Sequence, residues 1–232
     1  MDARAVSALS DLARWLTNPA NWEGPHGIPV RILEHIELSG LSVLVAVLVA
    51  MPVALYLGHT GRAGFIAINV ANIGRALPSL ALLAFGLVIA ISLGLGLGFW
   101  PTVFALVPLA IPPIITNSYV AVREVDPDVV EAARGMGLSE GQILRSIEIP
   151  LGLRLILAGI RTAAVNVVAT ATLGALVAGG ALGRFIVDGL ALREYDQLMA
   201  GALLVALLAV ATEVSFGALE RATVPRGIRA AS

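Results

Sequence analysis

The chain has 232 residues, 58% of them hydrophobic and 13% charged, with a net charge of −1 and a mean hydropathy of +0.90. Soluble domains carry about 25% charged residues, so the composition indicates an integral membrane protein, and the near-neutral balance gives no footprint for a nucleic-acid partner. Cysteine is absent and histidine stands only at 26, 35 and 59, which excludes a disulfide framework and a thiol metal site; no HExxH or GxSxG motif occurs, and neither catalytic nor metal-ligating residues are assigned.

In chain order, the first 17 residues lack the continuous apolar core and small-residue cleavage site of a signal peptide. Ala5, Leu9, Leu12, Ala13 and Leu16 instead recur at helical spacing. They predict a short amphipathic helix over 3–17, lying on the bilayer surface or on a neighbouring subunit. Residues 1–35 are read as an external or interfacial segment. A spanning helix needs about 20 mostly apolar residues, and five stretches qualify: 36–57, 70–91, 101–122, 153–178 and 198–219.

Certain residues in these spans are ones that lipid would not select. Pro78 and Ser79 interrupt the second; Pro108, Pro112, Pro113, Thr116, Asn117 and Ser118 interrupt the third; Asn166, Thr170 and Thr172 lie in the fourth. Polar groups and helix breakers at membrane depth face other protein or a water-filled path, and small or hydroxyl residues also fasten helices together. Pro78, Ser79, Asn117, Asn166, Thr170 and Thr172 are candidates for either role. Arg75, just before Pro78, is placed at the cytoplasmic mouth with Glu213 as its partner. No charged pair buried at mid-membrane, the mark of a secondary transporter or ion-coupled site, is evident in the sequence.

Between the third and fourth spans lies the densest run of charge, residues 127–150. Asp126 is placed to cap a helix that begins at Pro127 and ends at Gly135 and Gly137. Ser139 restarts a helix, with Gln142 in capping-box position. Val129, Ala132, Ala133 and Met136 share a face of the first piece, and Ile143, Leu144 and Ile147 a face of the second. Each piece is amphipathic and wants a partner surface. With this loop inside, the inner segments hold Arg62, Arg123, Arg134, Arg145, Arg154, Arg221, Arg226 and Arg229, whereas the outer ones hold Arg4, Arg14, Arg31, Arg184 and Arg193. The excess favours an external N-terminus and a cytoplasmic C-terminal tail, 220–232. No GxxxxGK[ST] occurs, so a pump built on this chain must borrow an ATPase.

Glu131, Ala132, Ala133, Gly137, Ile147, Glu148, Ile149 and Pro150, at their spacing, resemble the EAA loop of type I ABC importer permeases, which usually have leucine where Ile149 stands. Leu77 to Leu83, LPSLALL, and the run from Thr170 through Gly174 to Gly180, Leu182, Gly183, Phe185, Ile186 and Gly189 resemble stretches of the osmoprotectant subfamily, with Ala178, Gly179 and Ala181 replacing other small residues. The resemblance covers about 36–219. It implies an all-α permease core of five membrane helices, with residues 127–150 as a cytoplasmic coupling helix in which Glu131, Ala132, Ala133, Gly137, Ile147 and Pro150 carry the contact to an ATPase. It further implies two ATP-binding subunits that hold ATP and magnesium, a second permease chain the same or related, and a separate extracytoplasmic solute-binding protein, in a bacterial plasma membrane. The implied solute is a small osmoprotectant such as glycine betaine, choline or carnitine. Import of another small solute such as an amino acid, a passive channel or secondary transporter, and a membrane scaffold are the alternatives.

Overall fold

The structure is a computed structural model that describes residues 3–61, 69, 74 and 76–223, with side chains from residue 9 onward. Among the described residues it is helical: α1 Ala3–Thr17, α2 Ile28–Thr60, α3 Ser79–Ser92, α4 Phe99–Arg123, α5 Pro127–Gly135, α6 Glu140–Ile143, a π turn Leu144–Glu148, α7 Ile149–Thr170, a 3-10 stretch Ala171–Val177, α8 Gly183–Leu192 and α9 Tyr195–Thr223. The all-α expectation holds. Four helices, those built on 28–60, 99–123, 140–177 and 195–223, are long and apolar enough to cross a membrane.

The second expected span, 70–91, comes out differently. Its described helix is α3, 14 residues long, and Pro78 stands outside it in extended conformation as the N-cap. At 1.5 Å per residue α3 reaches only about 21 Å. Pro78 has no N–H and forces the residue before it away from helical dihedrals, so the helix starts afresh after it. Arg75 falls outside the described residues. The fourth span also changes geometry, since α-helix gives way to 3-10 at Ala171. The third does the reverse of what its prolines suggested: Pro108, Pro112 and Pro113 lie inside an unbroken α4. Trp100, expected outside the spans, falls in its first turn.

The chain divides into two compact units, and α2, α4, α7 and α9 each contribute to both. The first unit comprises Met1–Ser42, Pro78–Leu106 and Asn166–Ala211. Its core is apolar, with Ile28, Leu106, Val167 and Leu182 buried. Small residues let its backbones meet: a Cβ on Gly174 would lie 2.6 Å from Thr102 Oγ1, and one on Gly86 would strike Pro101 O. Buried His35 donates from Nε2 to Val168 O at 2.8 Å, joining α2 to α7. The segment after the 3-10 stretch carries Ala178 and Ala181 in the left-handed region, and Glu34 accepts from Ala181 N at 2.7 Å and from Arg31 at 2.8 Å. The expected amphipathic helix is α1, whose Trp15 packs edge-on against Phe185 of α8 with ring centroids 5.3 Å apart.

The second unit comprises Val43–Leu77, Val107–Val165 and Thr212–Ser232. Here α4 is the central helix. Ala46, Ala50 and Ala54 repeat every fourth residue on α2 and are fully or almost fully buried. Gly58 continues the stripe, and a Cβ there would lie 2.9 Å from Tyr119 O. On α7, a Cβ at Gly152 would lie 2.6 Å from Ala121 O, and one at Gly159 would lie 2.9 Å from Pro113 O. Such stripes draw membrane helices into backbone contact, where dispersion substitutes for the missing hydrophobic drive.

Candidate functional site in the polar loop

Residues 124–150 lie within the second unit, and their local chemistry matches the sequence reading. Asp126 Oδ1 accepts from Asp128 N at 2.9 Å, Pro127 opens α5, and α5 ends at Gly135. Gly137 takes φ +88°, a left-handed conformation that an L side chain rarely adopts. Open space surrounds it, for nothing lies within 4 Å of a Cβ placed there. Within this chain glycine is needed at 137 for its conformation, not for room. Gln142 Oε1 accepts from Ser139 N at 2.8 Å and from Ser139 Oγ at 2.9 Å, so the returning arm of the expected capping box is formed.

The loop residues then part into two sets. Ala133 and Ile143 are buried and seat the loop on its own unit. Glu131, Ala132 and Gly137 are exposed, as are Val129 on α5, at 41%, and Met136 at its C-cap, at 73%. The apolar face of α5 is therefore split: Ala133 turns inward while Val129 and Met136 are left uncovered. Ile147 is half-buried and Pro150 exposed.

A polar chain runs along this loop. Arg134 binds Glu140 through two hydrogen bonds, Nε to Oε1 at 2.7 Å and Nη2 to Oε2 at 3.0 Å. The hydrogen bond from Arg134, aided by its charge, holds the Glu140 carboxyl below the usual carboxylate range; the same bond raises Arg134. Glu140 Oε2 also lies 3.2 Å from His59 Nε2, and His59 Nδ1 is 2.6 Å from Glu148 Oε2. Glu148 is buried, and His59 sits at the end of α2. The sequence did not reveal this network, because its two ends are 89 residues apart. The available signal was chemical: an acid inside an otherwise apolar stretch, IEIP, requires a partner.

The candidate path residues are divided between the two units. Pro78, Ser79, Asn166, Thr170 and Thr172 belong to the first unit and Asn117 to the second. Ser79 opens α3, Asn166 is exposed on α7, and Thr170 is half-buried. Two of them satisfy themselves locally: Asn117 Nδ2 donates to Pro113 O at 2.8 Å and Thr172 Oγ1 to Ala169 O at 3.1 Å. Glu213, whose expected partner Arg75 lies outside the described residues, stands 3.5 Å from Arg161 of α7. Arg161 and Arg154 also reach Glu220, at 3.5 and 3.2 Å, beside a cleft of about 910 Å³. Charge pairs therefore do lie along α7 and α9, although Glu213 is 51% exposed and Arg161 32%. No group of acidic, histidine or cysteine side chains suited to a metal ion occurs among the described residues.

Residues 42–226 match a family described as binding-protein-dependent transport system inner membrane component. The chain is 37% identical to the carnitine transport permease protein OpuCB of Listeria monocytogenes, over 90% of this chain and 94% of that protein. It is 34% identical to the choline transport system permease protein OpuBB of Bacillus subtilis, over 84% of this chain and 88% of that one. Among solved structures, a chain of the MetNI methionine ABC transporter in an inward-facing form superposes with a TM-score of 0.73 at 20% identity, over 83% of this chain and 94% of that chain, a likeness of fold.

Proposed function

This chain belongs to the family of binding-protein-dependent transport system inner membrane components, and from that premise we propose that it is the permease subunit of an ATP-driven importer for a small osmoprotectant of the glycine betaine, choline or carnitine class. As a family member it is a multi-pass inner membrane transport subunit and not a catalytic one. Support for the solute class comes from relatives named for carnitine and choline transport that match most of its length.

In this reading two permease chains enclose the path, and two ATP-binding subunits supply ATP, magnesium and hydrolysis. An external solute-binding protein delivers the solute. Residues 127–150 lie in the cytoplasm, the N-terminus lies outside, and the C-terminal tail lies inside. The observation that carries the ATPase contact is the uncovered Val129 and Met136 face of α5, on a helix fixed at both ends by Asp126 and Gly137. A helix laid in a groove presents such a face. Glu131 and Ala132 stand beside that face, exposed, as is Pro150 at the far end of the loop, whereas buried Ala133 and half-buried Ile147 brace the loop. Polar path residues, Ser79, Asn117, Asn166 and Thr170 with Pro78 and Thr172, line the route or fasten its walls.

The test is uptake of labelled glycine betaine, choline, carnitine and methionine by cells without other importers of these solutes, expressing this chain with its partner permease, ATP-binding subunit and solute-binding protein. Uptake of any of the first three, abolished by Met136→Glu without loss of the chain from the membrane, supports the reading. Uptake of methionine alone overturns the solute class.

A further inference from the structure

A carboxylate withdrawn from water in this unit has a specific cause. Glu148 and Ile143 are both buried and stand five residues apart. In an α-helix they would face about 140° away from each other. The π turn Leu144–Glu148, in which Ile149 N–H bonds Leu144 O five residues back, brings them to one side. Pro150, the next residue but one, offers no N–H to Ser146, which favours a break in the ordinary ladder at this point. π turns of this kind recur at functional positions.

The turn delivers Glu148 to His59. That residue also faces Glu140, so both ring nitrogens meet carboxylate oxygens, at 2.6 and 3.2 Å. Imidazole offers two donors only when both nitrogens carry hydrogen; otherwise one carboxylate is satisfied and the other is not. Through Glu140 the ring connects to Arg134 on α5. Among the described residues, the side-chain hydrogen bonds and ion pairs between α2 and residues 127–150 all pass through His59. The loop is covalently continuous with α4 and α7, but α2 reaches it only through space. Beyond Pro52, which breaks the ladder seven residues earlier, the end of α2 borders a cavity of about 500 Å³ lined by Met51, Pro52, Leu55, Tyr56, Leu144 and Arg145. The last turns of α2 thus have a pivot behind them and room beside them, and His59 is their attachment.

We infer that His59 is a positioning residue of the transport cycle: gripping Glu148 and Glu140 together, it carries displacement of the α5 loop into α2. The inference rests on the assignment of the loop to the ATPase contact. It treats His59 as a mechanical joint whose loss leaves the docking face intact.

The complex of this chain with its ATP-binding subunit, copurified, reconstituted in vesicles and supplied with its solute-binding protein, tests it by labelled glycine betaine or carnitine taken up per ATP hydrolysed. His59→Leu removes both ring nitrogens, and His59→Gln returns one amide donor. A charge-assisted hydrogen bond in a buried setting corresponds to about a tenfold effect on an equilibrium, so His59→Leu is expected to lower uptake per ATP about tenfold while copurification and basal hydrolysis persist, with partial recovery in His59→Gln. Should His59→Leu fail to assemble, Glu148→Gln and His59→Gln decide, with their double variant no worse than the poorer single one. Unchanged uptake per ATP, losses that simply multiply, or loss of assembly with coupling intact in the surviving complex overturns the inference. Failure of the unaltered chain to capture an ATP-binding subunit overturns the transport assignment itself, and this inference with it.

Discussion

Glycine and proline perform opposite tasks in two regions of the second unit. Around α4 they are matters of space: Gly152 and Gly159 of α7 sit where any Cβ would press on Ala121 O, Pro113 O or Asn117 Cβ, and Pro112 and Pro113 are buried within the same contact. In the loop they are matters of dihedral angle. Gly137 has nothing near it yet holds φ +88°, and Pro127 opens α5 while Pro150 follows the π turn. The same residue type is therefore replaceable or not for unrelated reasons.

The largest effect is expected where space is the constraint. Gly152→Leu or Gly159→Leu forces α7 off α4 at a cost of about 3 kcal/mol, the upper end for overpacking. The melting temperature in detergent should collapse, and a melt matching the unaltered protein would break the comparison. Next comes the conformational position. Gly137→Val costs about 1–2 kcal/mol for a left-handed residue, so the chain should still insert and melt nearly normally while uptake per ATP falls. Gly137→Asn, which tolerates that conformation, should retain more coupling than Gly137→Val; equal losses in both would show that bulk matters after all.

The smallest effect concerns the Arg134–Glu140 pair on the solvated face. Its carboxyl is held low, first by the Arg134 hydrogen bond. A carboxyl lowered by folding stabilises the loop above the ordinary carboxylate value, and that contribution is lost as the pH falls through the lowered one. Amide exchange, referenced to an unstructured control at each pH, should report looser α5 and α6 ends under acid. Glu140→Gln should remove the pH dependence belonging to this pair.

The loop was largely legible because its signals are short-range: Asp126 before Pro127, Ser139 three residues before Gln142, glycines past a helix end. The spans were legible as apolar lengths, but their interruptions were not. Pro78 stands exposed as the N-cap of α3, whereas Pro112 and Pro113 are enclosed within α4, and Asn117 adds a second donor at Pro113 O. Whether a proline breaks a helix depends on what packs around it, information that lies in residues tens of positions away. His59 and Glu148 were opaque for the same reason. Each looked like an isolated polar residue at the border of a span, and only the fold supplies the partner.

The π turn also sets a rule about length. Five residues, Leu144–Glu148, occupy a turn that ordinary helix would complete with fewer, so the turn holds one residue in excess while Pro150 and the whole of α7 keep their orientation. Removing a single exposed residue there, Arg145 or Ser146, would restore common helical spacing and leave the edge that carries Gly152 and Gly159 close to where it stands. Adding one would leave the excess nowhere to go and turn the following helix by about 100°. An insertion between 144 and 148 should therefore be far more damaging than a deletion of the same size.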